Sequence, residues 1–212
     1  RFTLPQVNIF TPEELERLNI AHQAFLSNMA TLSEVEYRKE MERLGVDLSW
    51  KSSQIEGNTY SLLETERLLK EKFTANGKTK EEAVMLLNHK DALDFVLDNP
   101  DYLKEITVRR IEDIHGLLTK ELGVGSGIRT RRVGITGTNY RPLDNEFQIR
   151  EALEDSCNLI NGKENIFEKA LLALVLLSYI QAFSDGNKRT ARITSNAILM
   201  AWGYCPLSFR TV

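Results

Sequence analysis

Cysteine and histidine are scarce in this sequence, with two and three residues among 212. The two cysteines, Cys157 and Cys205, do not have the spacing of a metal site. A pair of cysteines in a chain of this size is more typical of buried thiols than of a disulfide framework, so we expect a reducing, cytoplasmic location.

The sequence also lacks an excess of charge and a long hydrophobic run. Lys and Arg total 27 and Asp and Glu total 30, which gives a net charge of −3. This balance provides no long-range attraction to nucleic acid or to an anionic membrane. The longest apolar run, Ala170 to Ile180, is interrupted by Ser178 and is much shorter than the ~20 residues that cross a bilayer. We expect neither partner, and any anion-binding site must be built locally.

Helix-start signals recur along the chain. Four of them pair a cap residue with a glutamate three positions later: Thr11 and Glu14, Thr31 and Glu34, Ser61 and Glu64, and Thr79 and Glu82. Apolar residues at helical spacing follow Thr79 and Thr107. Further helices are predicted over 149–159, over 166–180, and from Asn187 toward Trp202. The pattern predicts an all-α fold.

One segment between the helices has a different pattern. Gly123, Gly125 and Gly127 lead into Arg131 to Tyr140, where β-favouring residues alternate around Gly137. This predicts a loop followed by a small β-hairpin. The three glycines are not a dinucleotide-binding fingerprint, because no βαβ unit surrounds them and the last spacing is wrong.

The segment from Phe183 to Arg192 carries the strongest chemical signal. It joins a buried apolar helix to another helix through a turn, so that backbone N–H groups point outward at a helix N-terminus. Arg189 and Arg192 lie on one face of the second helix, and Asp185 is placed to hold a magnesium ion through one carboxylate. The same residues also fit an ordinary turn followed by two solvated arginines. Both interpretations are open from the residues alone.

The segment resembles the signature of the Fic/Doc family, H-x-F-x-[DE]-[GA]-N-[GK]-R-x-x-R. The matching positions are Phe183, Asp185, Gly186, Asn187, Lys188, Arg189 and Arg192. The resemblance implies a Fic-fold helical core over 107–212 with a β-hairpin flap, preceded by a helical region over 1–106. It implies ATP and Mg²⁺ as cofactors, with Asp185 on the metal, Gly186 to Arg189 on the α- and β-phosphates, and Arg192 on the terminal phosphate. Family members transfer AMP from ATP to a Ser, Thr or Tyr hydroxyl of a target protein.

The sequence departs from the signature at Gln181, which occupies the position of the family's histidine. That histidine acts as a general base, and a glutamine amide cannot take up the proton. Losing such a base costs ~10²–10⁴ in rate, while phosphate electrostatics leave residual transfer. The chain's own histidines, His22, His89 and His115, lie in helical contexts away from this loop in sequence. We expect them to be structural, with folding of one of them close to the loop as the alternative.

Three functions remain open at this point. The first is an adenylyltransferase impaired at Gln181, and the second is a degenerate module that binds nucleotide or target without turnover. The third is a protein kinase, because Lys188 matches the Asn-Lys-Arg version of the signature in Doc-like relatives, which transfer the γ-phosphoryl group.

Two further resemblances concern regulation and the target. Ser52 to Gly57 resembles the family's inhibitory motif [ST]-x-x-x-E-[GN] on a helix over about 45–57, which implies that Glu56 pairs with Arg192 in place of the γ-phosphate. On the expected flap, Val133, Ile135 and Thr136 would dock the target segment as an added strand, although a purely structural hairpin is the alternative. The expected partner is a target protein hydroxyl, with self-modification possible.

Overall fold

The computed structural model describes residues 7–210 apart from residue 136. These residues form eight α-helices and no strand. The helices are α1 (Pro12–Ala30), α2 (Glu34–Ile55), α3 (Leu62–Glu71), α4 (Lys80–Asp98), α5 (Val108–Thr119), α6 (Glu146–Asn161), α7 (Ile166–Ile180) and α8 (Asn187–Ala201). The prediction of an all-α fold is confirmed. Within the same residues, no helix combines the length and the apolar character needed to cross a membrane.

Helices α1 to α7 each begin after a Ser, Thr or Asn whose side chain accepts a backbone hydrogen bond from the first turn. The predicted helix cap at Thr11 and the predicted capping boxes at Ser61 and Thr79 are confirmed. Such a bond satisfies one of the four N–H groups that the first turn of a helix leaves without a partner. The cap residues therefore explain where most of the helices begin.

The predicted capping box of Thr31 and Glu34 is wrong. Helix α2 is capped by Ser33, which forms the box with Glu36. Thr31 instead ends α1, and its hydroxyl donates to the carbonyl of Asn28 at 2.7 Å. Both pairs match the same Ser/Thr-x-x-Glu pattern two residues apart, and the pattern alone does not select between them.

Helix α8 lies at the centre of the fold. It packs against α2, α4, α5 and α7, and twelve of its fifteen residues are buried. Among the buried residues are Arg189, Arg192 and Asn196. Charged and polar groups are costly to bury unless they are paired or hydrogen-bonded, so the surroundings of α8 must supply partners for both arginines.

Helices α2, α3 and α4 form a layer against this centre. The main hydrophobic cluster includes Leu48 of α2 and Leu93 of α4 together with Ile111, Leu177 and Ile198 from the later helices. Buried side chains from both sides of residue 106 thus share one core. The division of the chain into 1–106 and 107–212 stays a prediction.

The connection between α5 and α6 corrects a second expectation. Its described residues contain no strand, so the predicted β-hairpin over Val133 to Tyr140 is not formed there. The guanidinium of Arg129 donates to the carbonyls of Arg131 and Leu143, so a side chain joins the two ends of the segment where a hairpin would use a strand ladder. Thr136 lies outside the described residues.

Candidate nucleotide-binding site

The site is built around the loop that joins α7 to α8. Gln181 ends α7 in the left-handed conformation, with φ of 52° and ψ of 55°. Its side-chain amide donates to the carbonyl of Ser178 at 2.7 Å, and its backbone carbonyl accepts from Arg129 Nε at 2.6 Å. The side chain of Gln181 is therefore engaged in closing the last turn of its own helix.

Asn187 fixes the shape of the loop. Its Oδ1 accepts from the backbone N–H of Phe183, and its Nδ2 donates to the carbonyl of Phe183, both at 2.8 Å. The Asn187 side chain is thus used within the loop, and its backbone N–H remains at the start of α8. The resemblance implies that Asn187 contacts nucleotide. Because its side chain is already bonded to Phe183, its backbone N–H is the group left for that contact.

His115, which is distant from the loop in sequence and which we expect to be structural, contacts the loop directly in the fold. Its ring stacks on Phe183 at 3.8 Å between ring centroids, and its Nε2 lies 3.0 Å from the carbonyl oxygen of Asp185. A carbonyl can only accept, so Nε2 carries a proton and donates. Burial lowers the pKa of His115, which favours the neutral ring. The separation of 70 positions between His115 and Asp185 concealed this contact.

Gly186 begins α8 without a side-chain cap, unlike the other helices in the described part of the chain. Its φ is 79°, and a Cβ placed on it would lie 3.0 Å from Thr119 Cγ2. The first N–H groups of α8 therefore lack the cap that the other helices supply, at the positive end of the helix dipole. An uncapped helix N-terminus of this kind is a binding site for phosphate.

Arg189 is buried beside this N-terminus, with its side chain 3% exposed. It donates to the carbonyl of Leu118 at 3.3 Å and to Asp185 Oδ2 at 3.2 Å. The Asp185 side chain is 69% exposed, and Lys188 is exposed beside it. The loop therefore has a buried guanidinium, that of Arg189, with the exposed carboxylate of Asp185 and the exposed ammonium of Lys188 beside it.

Arg192, one turn further along α8, joins the site to α2. Its Nε donates to Ser52 Oγ at 2.9 Å, and its Nη2 donates to the Ser52 carbonyl at 3.1 Å and to Glu56 Oε1 at 2.6 Å. The expected ion pair of Glu56 and Arg192 is thus present. Burial lowers the pKa of the Arg192 guanidinium and the hydrogen bond with Glu56 opposes that shift, so the side chain stays a cation.

His89 supports the same contact from α4. Its side chain is 2% exposed, and its Nδ1 lies 3.2 Å from Ser49 Oγ on α2. Burial, together with the nearby charges of Arg192 and Arg189, lowers the pKa of His89 to about 3. A neutral histidine is therefore packed where α2 and α4 approach the two arginines. Sequence pattern did not distinguish His89 from an ordinary core residue.

The segment after α5 is fixed to the edge of the loop. Besides the bond from its side chain to Gln181, Arg129 donates its backbone N–H to the carbonyl of Ala182 at 2.9 Å. Val133 and Ile135, expected on the flap, are partly buried. The segment therefore begins directly beside Gln181.

Taken together, the described residues form a helical domain around a central helix that has an uncapped N-terminus and two buried arginines. Residues 105–199 match the model of the Fic/DOC family. The chain therefore contains a Fic/DOC family domain, as the loop signature predicted.

Two curated relatives are similar to this chain. Protein adenylyltransferase fic-1 of Caenorhabditis elegans is 30% identical over 161 residues, which cover 72% of this chain and 31% of that protein. Protein adenylyltransferase Fic of Nematostella vectensis is 28% identical over 215 residues, which cover 98% of this chain and 49% of that protein. The chain thus spans a third to a half of the length of these relatives.

Two solved structures share the fold. A Fic-1 structure from Caenorhabditis elegans has a TM-score of 0.74 at 24% identity and covers 94% of this chain and 62% of that one. A Fic domain containing signaling protein from Bacteroides thetaiotaomicron has a TM-score of 0.77 at 18% identity and covers 92% of this chain and 75% of that one. At these identities the likeness concerns the fold alone.

Replacing Gly186 tests how tightly the loop is packed. Gly186→Ala places a Cβ 3.0 Å from Thr119 at positive φ, whereas Gly77→Ala has a similar φ of 76° and no atom within 4 Å. Positive φ alone costs ~1–2 kcal/mol, so Gly77→Ala should lose that amount and Gly186→Ala more. Urea unfolding measures both. Equal losses would show that the space around Gly186 is not restrictive.

The buried neutral His89 predicts a dependence of stability on pH. Its pKa is about 3 in the fold, against ~6.5 in an unfolded chain. The unfolded state therefore takes up the proton first, and the stability contributed by neutral His89 is complete above pH ~6.5 and falls as the pH drops toward 3. The loss is ~1.4 kcal/mol per pH unit, or ~2 kcal/mol between pH 6.5 and 5.

The measurement is urea unfolding at pH 7 and pH 5 for the wild-type chain and His89→Asn. The variant should be less stable at pH 7 but should lose less stability on acidification. Identical losses in the two proteins would show that His89 does not carry the dependence.

Proposed function

We propose that this domain binds ATP and magnesium and transfers AMP to a hydroxyl group of a protein target, at a reduced rate. The observation that carries the proposal is the uncapped N-terminus of α8, which has two buried arginines on the same helix. The names of the curated relatives, protein adenylyltransferases, favour AMP as the transferred group. Both cysteines are free thiols, which supports a cytoplasmic location.

The backbone N–H groups of the first turn of α8, from Gly186 to Arg189, would hold the α- and β-phosphates. A charge-assisted bond from a guanidinium to phosphate is stronger than a neutral hydrogen bond, and Arg192 would supply it to the terminal phosphate. Lys188 is exposed at the first turn and adds a point charge near the anion. These groups are placed before ligand arrives, because the bonds of Asn187 and His115 already fix the loop.

Magnesium fits this site as an ion shared with the nucleotide. The described residues contain no group of three His, Cys, Asp or Glu side chains that could hold a metal by itself. The exposed carboxylate of Asp185 is a single oxygen ligand beside the proposed phosphate positions. Mg²⁺ commonly binds through one or two carboxylates with waters and substrate phosphates in the other positions. When bound, it would neutralise phosphate charge and orient the nucleotide.

The transfer step forms one bond and breaks one. The target hydroxyl oxygen attacks the α-phosphorus of ATP, the bond from that phosphorus to the β-phosphate oxygen breaks, and pyrophosphate leaves. The hydroxyl proton must pass to an acceptor. Gln181 does not provide one, because neither its side-chain amide nor its backbone carbonyl is a base of useful pKa. Because the amide also donates to Ser178, solvent or phosphate oxygens must take the proton.

Autoinhibition is the second part of the proposal. Glu56 Oε1 lies 2.6 Å from Arg192 Nη2, where a phosphate oxygen of ATP would need to bind. Ser52 occupies Nε and shares Nη2 of the same guanidinium. A terminal phosphate must therefore displace the carboxylate, so ATP would bind more weakly than it would to a free Arg192.

Restoring the base tests the transfer reaction. Gln181→His should raise transfer of label from α-labelled ATP by ~10²–10⁴, with self-modification or an added acceptor protein as readout. γ-labelled ATP should leave no label on protein. Gln148→His, at an exposed position of α6, is the control for a new histidine elsewhere.

Other outcomes select other functions. Transfer of the γ-label would support the protein kinase. The second candidate is a binding module without turnover, which the bond from the Gln181 amide to Ser178 favours. It would be supported if a folded chain with both Gln181→His and Glu56→Gly bound ATP but transferred neither label.

Removing the carboxylate of Glu56 tests autoinhibition. Glu56→Gly frees Arg192 from a charge-assisted bond of ~1.5–3 kcal/mol, which corresponds to roughly a tenfold to hundredfold gain in ATP affinity by calorimetry. ADP lacks the terminal phosphate and should gain much less. Glu71→Gly, at the last residue of α3, controls for a glycine at a helix end. Equal gains for ATP and ADP would point to general loosening of α2 and would count against competition.

A further inference from the structure

The segment beside the proposed site carries a local excess of positive charge. Residues 128–143 contain Arg129, Arg131, Arg132 and Arg141 and no aspartate or glutamate, in a chain whose net charge is −3. A concentration of arginine against the overall sign of the protein indicates a local binding surface, because the whole chain exerts no such attraction.

One of these arginines is structural and the other three face solvent. Arg129 is 5% exposed, and its guanidinium donates to three carbonyls, those of Gln181, Arg131 and Leu143. Arg131, Arg132 and Arg141 are exposed. Arg129 therefore fixes the segment against the loop, while the other three arginines are exposed to solvent.

Two of the exposed arginines, Arg132 and Arg141, border a groove of about 450 Å³. The lining residues are Arg132, Val133, Arg141, Pro142 and Asp144. Asp144 pairs with Arg132 at 2.8 Å and neutralises its charge. Arg141 is the other arginine of the lining, and Arg131 precedes Arg132 in the sequence. The lining thus carries a net charge of one positive unit, from two arginines and one aspartate, beside the apolar side chains of Val133 and Pro142.

The groove adjoins the proposed site of chemistry. Gln181 and Ala182 are bonded to Arg129 at the start of the segment, and Tyr140 near its end stacks on Tyr179 of α7 at 4.2 Å. Tyr179 is 55% exposed and Phe147, at the start of α6, is 82% exposed. A polypeptide that reached Gln181 with its hydroxyl would have its flanking residues close to this charged and apolar surface.

We propose that the groove binds an acidic, partly apolar stretch of polypeptide that flanks the target hydroxyl. The inference rests on the proposed transferase function and adds the class of target. Charge complementarity selects acidic residues for the arginines, and Val133 and Pro142 offer contact to apolar side chains. Because the proposed reaction modifies a protein hydroxyl beside this groove, polypeptide is the proposed occupant, and binding of nucleic acid is the outcome that would overturn it.

Binding is measured first without chemistry. A short fluorescein-labelled peptide has one tyrosine flanked by glutamates and leucines, and its matched control has glutamine in place of each glutamate. Anisotropy should show tighter binding of the acidic peptide, weakening as salt is raised, because exposed charges are screened beyond ~8 Å at physiological ionic strength. Equal affinities for the two peptides would overturn the proposal.

Charge removal identifies the surface. Arg131→Gln with Arg141→Gln removes two exposed charges and should weaken the acidic peptide about fivefold while leaving the neutral peptide unchanged. The control is Arg38→Gln with Arg43→Gln, two exposed arginines on α2, which should change neither affinity. A labelled single-stranded oligonucleotide that binds more tightly than the acidic peptide would assign the groove to nucleic acid and overturn the proposal.

Transfer is measured second, so that the two proposals can fail separately. In the Gln181→His background, α-labelled ATP is supplied with a random copolymer of glutamate and tyrosine or with one of alanine, lysine and tyrosine. The acidic copolymer should accept more label, and the loss of Arg131 and Arg141 should reduce the difference. Equal labelling would retain the transferase and reject the acidic groove, whereas selective binding without any labelling would retain the groove and reject the transferase.

Discussion

The guanidinium of Arg192 is the point on which the rest of this structure depends. It lies on the central helix with its side chain 7% exposed, and a buried cation without partners is too costly to retain. Ser52 and Glu56 of α2 satisfy it. The need to pair this one charge therefore fixes the end of α2 against α8, and it places α2 beside the proposed nucleotide site.

At the start of α8, by contrast, the backbone N–H groups have no side-chain partner. Seven helices begin with a side chain that satisfies the first turn, whereas α8 begins at Gly186 without one. The glycine adopts a left-handed conformation at a position where a Cβ would lie 3.0 Å from Thr119, and His115 donates to the preceding carbonyl. The uncapped N–H groups at the start of α8 are the basis of the proposed phosphate site.

Much of this arrangement could be predicted from sequence, because local rules govern it. Capping boxes located three helix starts, and the spacing of Arg189 and Arg192 placed both on one face of α8. The local rule failed at Thr31, where a second Ser/Thr-x-x-Glu match lay two residues away. It also failed at the hairpin, where the described residues contain no strand and the side chain of Arg129 instead bonds the carbonyls of Arg131 and Leu143 on either side. The roles of His89 and His115 depend on contacts 40 and 70 positions away, and a single sequence contains no signal for them.

The central claim is that Glu56 weakens ATP binding through Arg192 and not through the general stability of α2. A double-mutant cycle read by calorimetry tests this claim, because it compares the effect of Glu56→Gly on ATP affinity in the wild-type chain and in an Arg192→Gln chain shown to be folded. The account predicts that Glu56→Gly raises ATP affinity when Arg192 is present and has no effect when Arg192 is replaced. An equal rise in both backgrounds would contradict it.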